Sequence, residues 1–388
     1  MNRKVCVVTA TRAEYGLLKC LIDDIEVDKE LSLQLVVTGS HLSPEFGYTV
    51  DQIRSDQMPI SKTIEILLSS DSPVGVSKSM GLAQISFAEA FDELKPDIVV
   101  VLGDRFELLP IVSAANIARI PVAHLNGGEI TEGAIDDIIR HSITKLSQLH
   151  FTAIDTYAKR VIQMGEQPDR VFNVGEVGLD NFKRMVFLNK SDFEDSINHK
   201  LADKNLMITY HPETTNTLEQ IEKDFQIILD SLDHLENTLL IFTKANADVG
   251  GRAINNMIDD YVTKRSEKAI SFMSLGQLRY LSALHYVDAI IGNSSSGIVE
   301  APTFKVPSIN IGNRQKGRIR AESVIDVLAD ENEIIQAINR TYTTEYKNIL
   351  ASVVNPYGQG ESSTQVLNIL KNINLASLQT KSFYDVSY

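Results

Sequence analysis

The chain is poor in cysteine, in positive charge and in long apolar runs. It has two cysteines in 388 residues. Cys6 lies in an apolar run and Cys20 in a helical pattern, so both read as core thiols suited to a reducing cytosol, with no metal-ligand spacing. Lys plus Arg number 37 against 51 Asp plus Glu, a net charge of −14. That balance excludes a phosphodiester backbone held by bulk electrostatics, so no nucleic-acid partner is expected. A small anionic ligand would need a local cluster of Arg, His or main-chain amides. No stretch approaches the ~18 apolar residues of a membrane span. The apolar run Val5–Val8, after the basic start Met1–Lys4, is too short for a signal peptide. The expectation is a cytoplasmic protein with no membrane partner. Apolar residues make up 43% and charged residues 23%, which excludes disorder, collagen and coiled coil.

The length suggests two domains of about 150–200 residues each. Short β-branched runs alternate with amphipathic segments. Val5–Thr9, Leu33–Thr38, Ile98–Leu102, Val122–Leu125, Val171–Val174, Leu206–Tyr210, Leu239–Thr243, Ala289–Ile291 and Ser308–Ile311 read as buried strands. Glu14–Ile25, Ser77–Leu94, Ile135–Leu146, Thr217–Leu232 and Gly276–Leu284 read as helices. Continuous apolar strands between helices mean parallel sheets covered on both faces. The strand-to-helix turns then share one edge, where ligands gather. The boundaries expected are 1–174, with 361–388 packing back onto it, and 175–360.

Several catalytic signatures are missing. There is no GxGxxG or GxxxxGK[ST] after the first strand, and no GxSxG, HExxH or CxxC. What the turns do carry is charge. The first ends in Thr11-Arg12-Ala13-Glu14, where Arg12 either faces a phosphate or caps an acidic neighbour. Asp104 follows the strand Ile98–Leu102 and is either an acid–base group or a helix N-cap. His124-Leu125-Asn126-Gly127-Gly128-Glu129 places a carboxylate on the same edge, and its double glycine would allow a ligand close to the backbone. Asp136-Asp137 opens a helix containing Arg140. Carboxylates clustered in this way can supply both a base and an acid. In the second half, His211 follows a strand and precedes Pro212. Gly292–Glu300 offers serine hydroxyls and amides at a helix start, with Glu300 placed for ribose hydroxyls. Asn313–Arg318 is a basic cluster or a solvated turn.

In combination, Thr11–Tyr15, Leu102–Arg105, His124–Glu129, Tyr210–Glu213, Asn293–Glu300 and Gly312–Arg318 resemble the hydrolysing UDP-N-acetylglucosamine 2-epimerases of sialic acid biosynthesis, along most of the chain. The resemblance implies an α/β fold of two Rossmann-like, doubly wound parallel-sheet domains facing a cleft, of glycosyltransferase-B type. It implies no metal, no nicotinamide and no other cofactor, and a homodimer or homotetramer. The implied reaction takes UDP-N-acetylglucosamine and water to UDP and N-acetylmannosamine, through elimination to 2-acetamidoglucal and hydration. By position, Asp104, Glu129 and Asp136 match proton-moving acids, and His211 a histidine near the diphosphate. Ser294, Ser295 and Arg314 match UDP contacts, Glu300 the ribose contact, and Arg12 a first-strand arginine. Asn246 and Arg105 match more weakly near the sugar or phosphate. The motifs also resemble enzymes acting on UDP-N,N'-diacetylbacillosamine on the way to legionaminic acid. A UDP-sugar glycosyltransferase shares the fold and the nucleotide seat. A nucleotide-sugar sensor would have no need of three acids.

Overall fold

The structure, a computed structural model, describes residues 2–68, 72–131, 135–213, 216–245 and 250–386. It divides into two units. The first comprises Met1–Glu129, Ile135–Arg184 and Tyr357–Tyr388, and the second is built on Met185–Pro356.

The first unit holds seven strands, β1 (Arg3–Thr9), β2 (Leu31–Thr38), β3 (Ile60–Ile64), β4 (Ile98–Leu102), β5 (Val122–Leu125), β6 (Leu149–Thr152) and β7 (Val171–Asn173). They pair in parallel in the order β3-β2-β1-β4-β5-β6-β7. In β1, Val5 and Val7 join a core on one face, while Cys6 and Val8 join another on the opposite face. A strand covered on both sides must be apolar at every position, and β-branched residues fit its pleat.

The second unit repeats the plan with β8 (Lys204–Thr209), β9 (Thr238–Thr243), β10 (Ala269–Phe272), β11 (Ala289–Gly292), β12 (Ser308–Ile311) and β13 (Val324–Val327). Their order is β10-β9-β8-β11-β12-β13, again all parallel. Each unit therefore has one switch point, at β1/β4 and at β8/β11. There the connections leave for opposite faces, and a crevice opens at the strand ends. The turns at Thr9–Arg12, Leu102–Glu107, Thr209–Glu213 and Gly292–Ser296 lie at these two places.

Four strands lie outside the sequence expectation. Three of them, β3, β10 and β13, are sheet edges with half-exposed residues such as Lys62 and Ser271 and the exposed Asp326. The fourth, β6, is interior but carries His150, which is wholly buried because Glu166 accepts from its Nε2 at 3.0 Å.

The first unit also runs further than expected, through Arg184, and resumes at Tyr357. Asn181 Nδ2 donates to the Gly16 carbonyl at 3.1 Å, and Arg184 pairs with Asp24 at 2.6 Å, so residues 175–184 pack on the helix Arg12–Val27. Tyr357 joins its hydroxyl to that of Tyr157 at 3.1 Å. The helix Ser362–Asn372 then starts on the Asp180 carboxylate, which accepts the Ser362 and Ser363 amides at 2.9 and 2.6 Å. Its Val366 and Leu370 share a core with Leu18, Leu21 and Ile22. Further on, Lys381 donates to the carbonyls of Lys145 (2.7 Å) and Ser147, at the C-terminal end of the helix Ile135–Leu146.

No described helix is long and apolar enough to cross a membrane. Cys6 and Cys20 are free and buried.

Candidate active site

At the end of β1, Thr11 caps the helix Arg12–Val27 through a capping box. Its hydroxyl accepts from the Glu14 amide. Glu14 Oε2 accepts in return from the Ala10 and Thr11 amides at 2.7 and 3.0 Å. Glu14 is buried, and its Oε1 has no hydrogen-bond partner among the described residues. Burial pushes this carboxyl up to about 8, with Arg105 opposing and Glu107 adding to the rise. Arg12, the first residue of the helix, is half-buried.

At the end of β4, Arg105 Nη2 donates to the buried Glu107 carboxylate at 3.1 Å. Burial works against its charge, yet Glu107, Glu14 and Asp136 together hold the guanidinium above its usual range. Arg105 is thus engaged within the first unit, in an environment of three carboxylates. Asp136, half-buried in the first turn of the helix Ile135–Leu146, contributes its charge at Arg105.

The second group converges on Arg140, whose side chain is 2% exposed. Its Nη2 pairs with Asp104 Oδ2. Its Nη1 donates to the Glu129 carbonyl at 3.0 Å and lies 3.3 Å from Asp137 Oδ1. Two turns of chain from different strands are therefore gathered at one guanidinium, whose planar fork suits several acceptors at once. Glu129 itself is buried. His124, on β5, donates from Nε2 to the Gly103 carbonyl at 2.8 Å and bonds Thr144 Oγ1 through Nδ1 at 3.2 Å. Burial lowers this imidazole to about 3, so it is neutral.

The double glycine serves this packing. A Cβ on Gly128, at φ +80°, would lie 2.4 Å from the Tyr157 carbonyl oxygen. Arg160 also donates to the Gly128 carbonyl. The close approach expected for a ligand is made here by the protein's own backbone.

In the second unit, Asn293 ties β8 to β11. Its Oδ1 accepts the His211 amide at 2.7 Å and its Nδ2 donates to the His211 carbonyl at 2.8 Å. The strands come this close because residue 292 is glycine, where a Cβ would lie 2.0 Å from the Thr209 carbonyl oxygen. Burial, with Arg314 beside it, lowers His211 to about 3. The Asn293 carbonyl accepts from Arg314 Nη1 at 3.2 Å and Gln315 Nε2 at 2.9 Å. Glu213 Oε1 accepts the Asn313 and Arg314 amides at 2.6 and 3.2 Å. One carboxylate after β8 thus fixes the turn that presents Arg314.

Ser294 and Ser295 precede a helix of one turn, Ser296–Val299. So short a helix contributes little macrodipole, and local amides and hydroxyls make up the donors. Ser296 Oγ accepts from Tyr280 at 2.5 Å. Burial raises the Glu300 carboxyl, opposed by Ser296 and Arg318.

A family model described as UDP-N-acetylglucosamine 2-epimerase matches residues 23–371. The chain belongs to the UDP-N-acetylglucosamine 2-epimerase family. It is 47% identical over 386 residues to a protein of Campylobacter jejuni subsp. jejuni described as GDP/UDP-N,N'-diacetylbacillosamine 2-epimerase (hydrolyzing), covering 99% of this chain and 100% of that one. It is 36% identical over 386 residues to the polysialic acid biosynthesis protein P7 of Escherichia coli, covering 99% and 98%. The structure of Neisseria meningitidis UDP-GlcNAc 2-epimerase bound to UDP-GlcNAc superposes with a TM-score of 0.80 at 20% identity, over 95% of this chain and 99% of that chain. That likeness shows the shared fold.

Within this 2-epimerase family member, the structure brings Asp104 and Glu129 together in the first unit. It brings His211 and Arg314 together in the second, beside Ser294 and Ser295. Asp136 adds its charge at Arg105. Asn246 lies outside the described residues. Sequence reading gave no role to Arg140, His124, Glu213 or Asn293. The signal for Arg140 was its place on the apolar face of a helix with Ile139 and Ile143, where a solvated arginine does not belong. Among the described residues no group of His, Cys, Asp and Glu is arranged to hold a metal ion.

Proposed function

We propose that the protein is a hydrolysing 2-epimerase of a UDP-linked 2-acetamido sugar. The observation that carries this reading is the convergence of Asp104 and Glu129 on one buried arginine at the strand ends of a chain of this family. The C1–O bond to UDP breaks and the C2 proton is removed, giving a glycal. Water then adds at C1 and a proton returns to C2 from the opposite face. The products are UDP and the free C2-epimeric sugar.

The C2 proton is weakly acidic, so departure of the diphosphate must run ahead. Donors at the departing charge stabilise it, and carboxylates move the protons. In this proposal Asp104, Glu129 and Asp136 are the proton-moving acids. His211, Ser294, Ser295 and Arg314 hold the diphosphate, Glu300 the ribose, and Arg12 a further phosphate oxygen.

For the sugar, UDP-N,N'-diacetylbacillosamine is the preferred substrate. The Campylobacter relative, at 47% identity over its whole length, carries that activity in its description. UDP-N-acetylglucosamine is the second reading, supported by the 36% identity to a polysialic acid biosynthesis protein. Proton NMR in D2O tests both. UDP released together with a 2-epimeric free sugar carrying deuterium at C2 is the expected result. Release of sugar with C2 protium and unchanged configuration would reduce the reaction to simple hydrolysis. Running each UDP-sugar, and the GDP-linked form, in the same series ranks the substrates.

A further inference from the structure

This inference rests on the reaction proposed above. We infer that Arg140 is the positioning residue of the acid set: it holds Asp104 and Glu129 in register for proton transfer without touching the substrate itself.

A side chain 2% exposed has no surface with which to meet a ligand. Its donors are spent inward, on Asp104, on the Glu129 carbonyl and on Asp137. A buried guanidinium is costly unless its charge is met, and the two carboxylates meet it. Asp104 is anchored through Oδ2. Among the described residues its Oδ1 makes no hydrogen bond, and the side chain is 27% exposed. The anchoring is reinforced on both sides. His124 Nε2 holds the carbonyl of Gly103, the residue before Asp104. Arg160 holds the carbonyl of Gly128, the residue before Glu129. Two successive carbonyls, of Gly128 and Glu129, are therefore each fixed by an arginine.

Proton transfer is sensitive to such placement. A misplacement of about 1 Å costs on the order of 10²-fold in rate. Lysine at 140 keeps the charge but loses the fork that spans Asp104 and the Glu129 carbonyl together.

The test compares wild type, R140K, D104N and the double variant D104N/R140K, each checked for folding by thermal melt. Turnover is followed as UDP release, UDP affinity by calorimetry, and kcat against pH. R140K is expected to lose about 10²-fold in kcat, to keep its UDP affinity, and to shift one limb of its pH profile. The double variant is expected to lose clearly less than the product of the two single losses, because part of what Arg140 does passes through Asp104 and the rest through the Glu129 carbonyl. R140A recovering turnover on addition of guanidinium chloride would support the same role. An R140K variant with wild-type kcat and an unmoved pH profile would overturn the inference, as would losses that multiply in the double variant. If R140K does not fold, guanidinium recovery in R140A decides in the same two directions. Wild type that releases no UDP from any UDP-2-acetamido sugar would instead remove the reaction on which the inference stands.

Discussion

Lys381 Nζ lies 2.7 Å from Glu166 Oε2, and through this pair the tail of the chain grips the helix that carries Asp136 and Arg140. Glu166 also accepts from Lys145 at 2.5 Å and from His150 at 3.0 Å. Lys381 meanwhile takes up the carbonyls at the end of the Ile135–Leu146 helix, where a cation is favoured by the dipole.

Burial alone would raise Glu166. The donors His150, Lys145 and Lys381 outweigh it and hold the carboxyl near 2, against an ordinary 4.5. Its contribution to stability is therefore complete above pH 4.5 and is lost as pH falls from there toward about 2. Lys381→Met leaves Glu166 with two donors. The expected loss at neutral pH is about 1–3 kcal/mol, or about 2–4 °C of melting temperature per kcal/mol. Acid melts of the variant should show unfolding beginning at higher pH than in wild type. An unchanged acid limb would show that the tail does not hold Glu166 in solution.

Glu14 gives the opposite pH dependence. Its carboxyl, raised by burial to about 8 from 4.5, binds a proton in the folded state that the unfolded chain has released. Stability from this group is present below pH 4.5 and is lost as pH rises through about 8. Glu14→Gln copies the protonated form and can still accept the Ala10 and Thr11 amides. Its melting temperature should stay flat relative to wild type between pH 5 and 9. Glu14→Ala removes the capping box and should cost about 0.5–2 kcal/mol at any pH. Melts of the three proteins across that range separate the cases.

Asp104→Asn, Glu129→Gln and Asp136→Asn should each lower turnover by roughly 10²–10⁴-fold while UDP still binds. The rate of UDP release and calorimetric UDP affinity are measured on the same preparations. Full activity in all three variants would remove the acid assignment.

Arg314→Ala should weaken UDP binding by about ten- to a hundredfold, the equivalent of one charge-assisted hydrogen bond. Glu213→Ala frees the turn that presents Arg314 and should weaken UDP in the same direction without removing a cation. Glu213→Gln, which keeps an acceptor for the two amides, should recover most of the affinity. Unchanged affinity in Arg314→Ala by calorimetry would exclude its phosphate role.

The parallel framework was readable because doubly covered strands such as Val5–Thr9 and Ile98–Leu102 admit only apolar residues. Their ends were readable for the same reason, since a charge just past such a run must lie at the sheet edge. Strands β3, β10 and β13 were not readable, because an edge strand tolerates polar residues on one side. The His150 strand hid behind a polar letter whose partner, Glu166, is distant in sequence. Asp136 and Asp137 both stand one turn before Arg140 and look alike on paper, and only the fold shows that Asp137 pairs with it. Arg140 was obscured because a buried cation and a solvated one are spelled identically, and only the fold shows which acceptors reach it.

The return of Tyr357–Tyr388 to the first unit sets an order of events during synthesis. Helix Ser362–Asn372 covers Leu18, Leu21 and Ile22, and Lys381 closes the end of the helix that bears the acids. Neither element exists until the ribosome has translated Met185–Pro356, which at about 5–20 residues per second takes roughly 10–30 s. A nascent first unit waits through that interval with its apolar groove uncovered. It becomes complete only after the second unit has been made, so the half of the molecule that begins first must wait for the other.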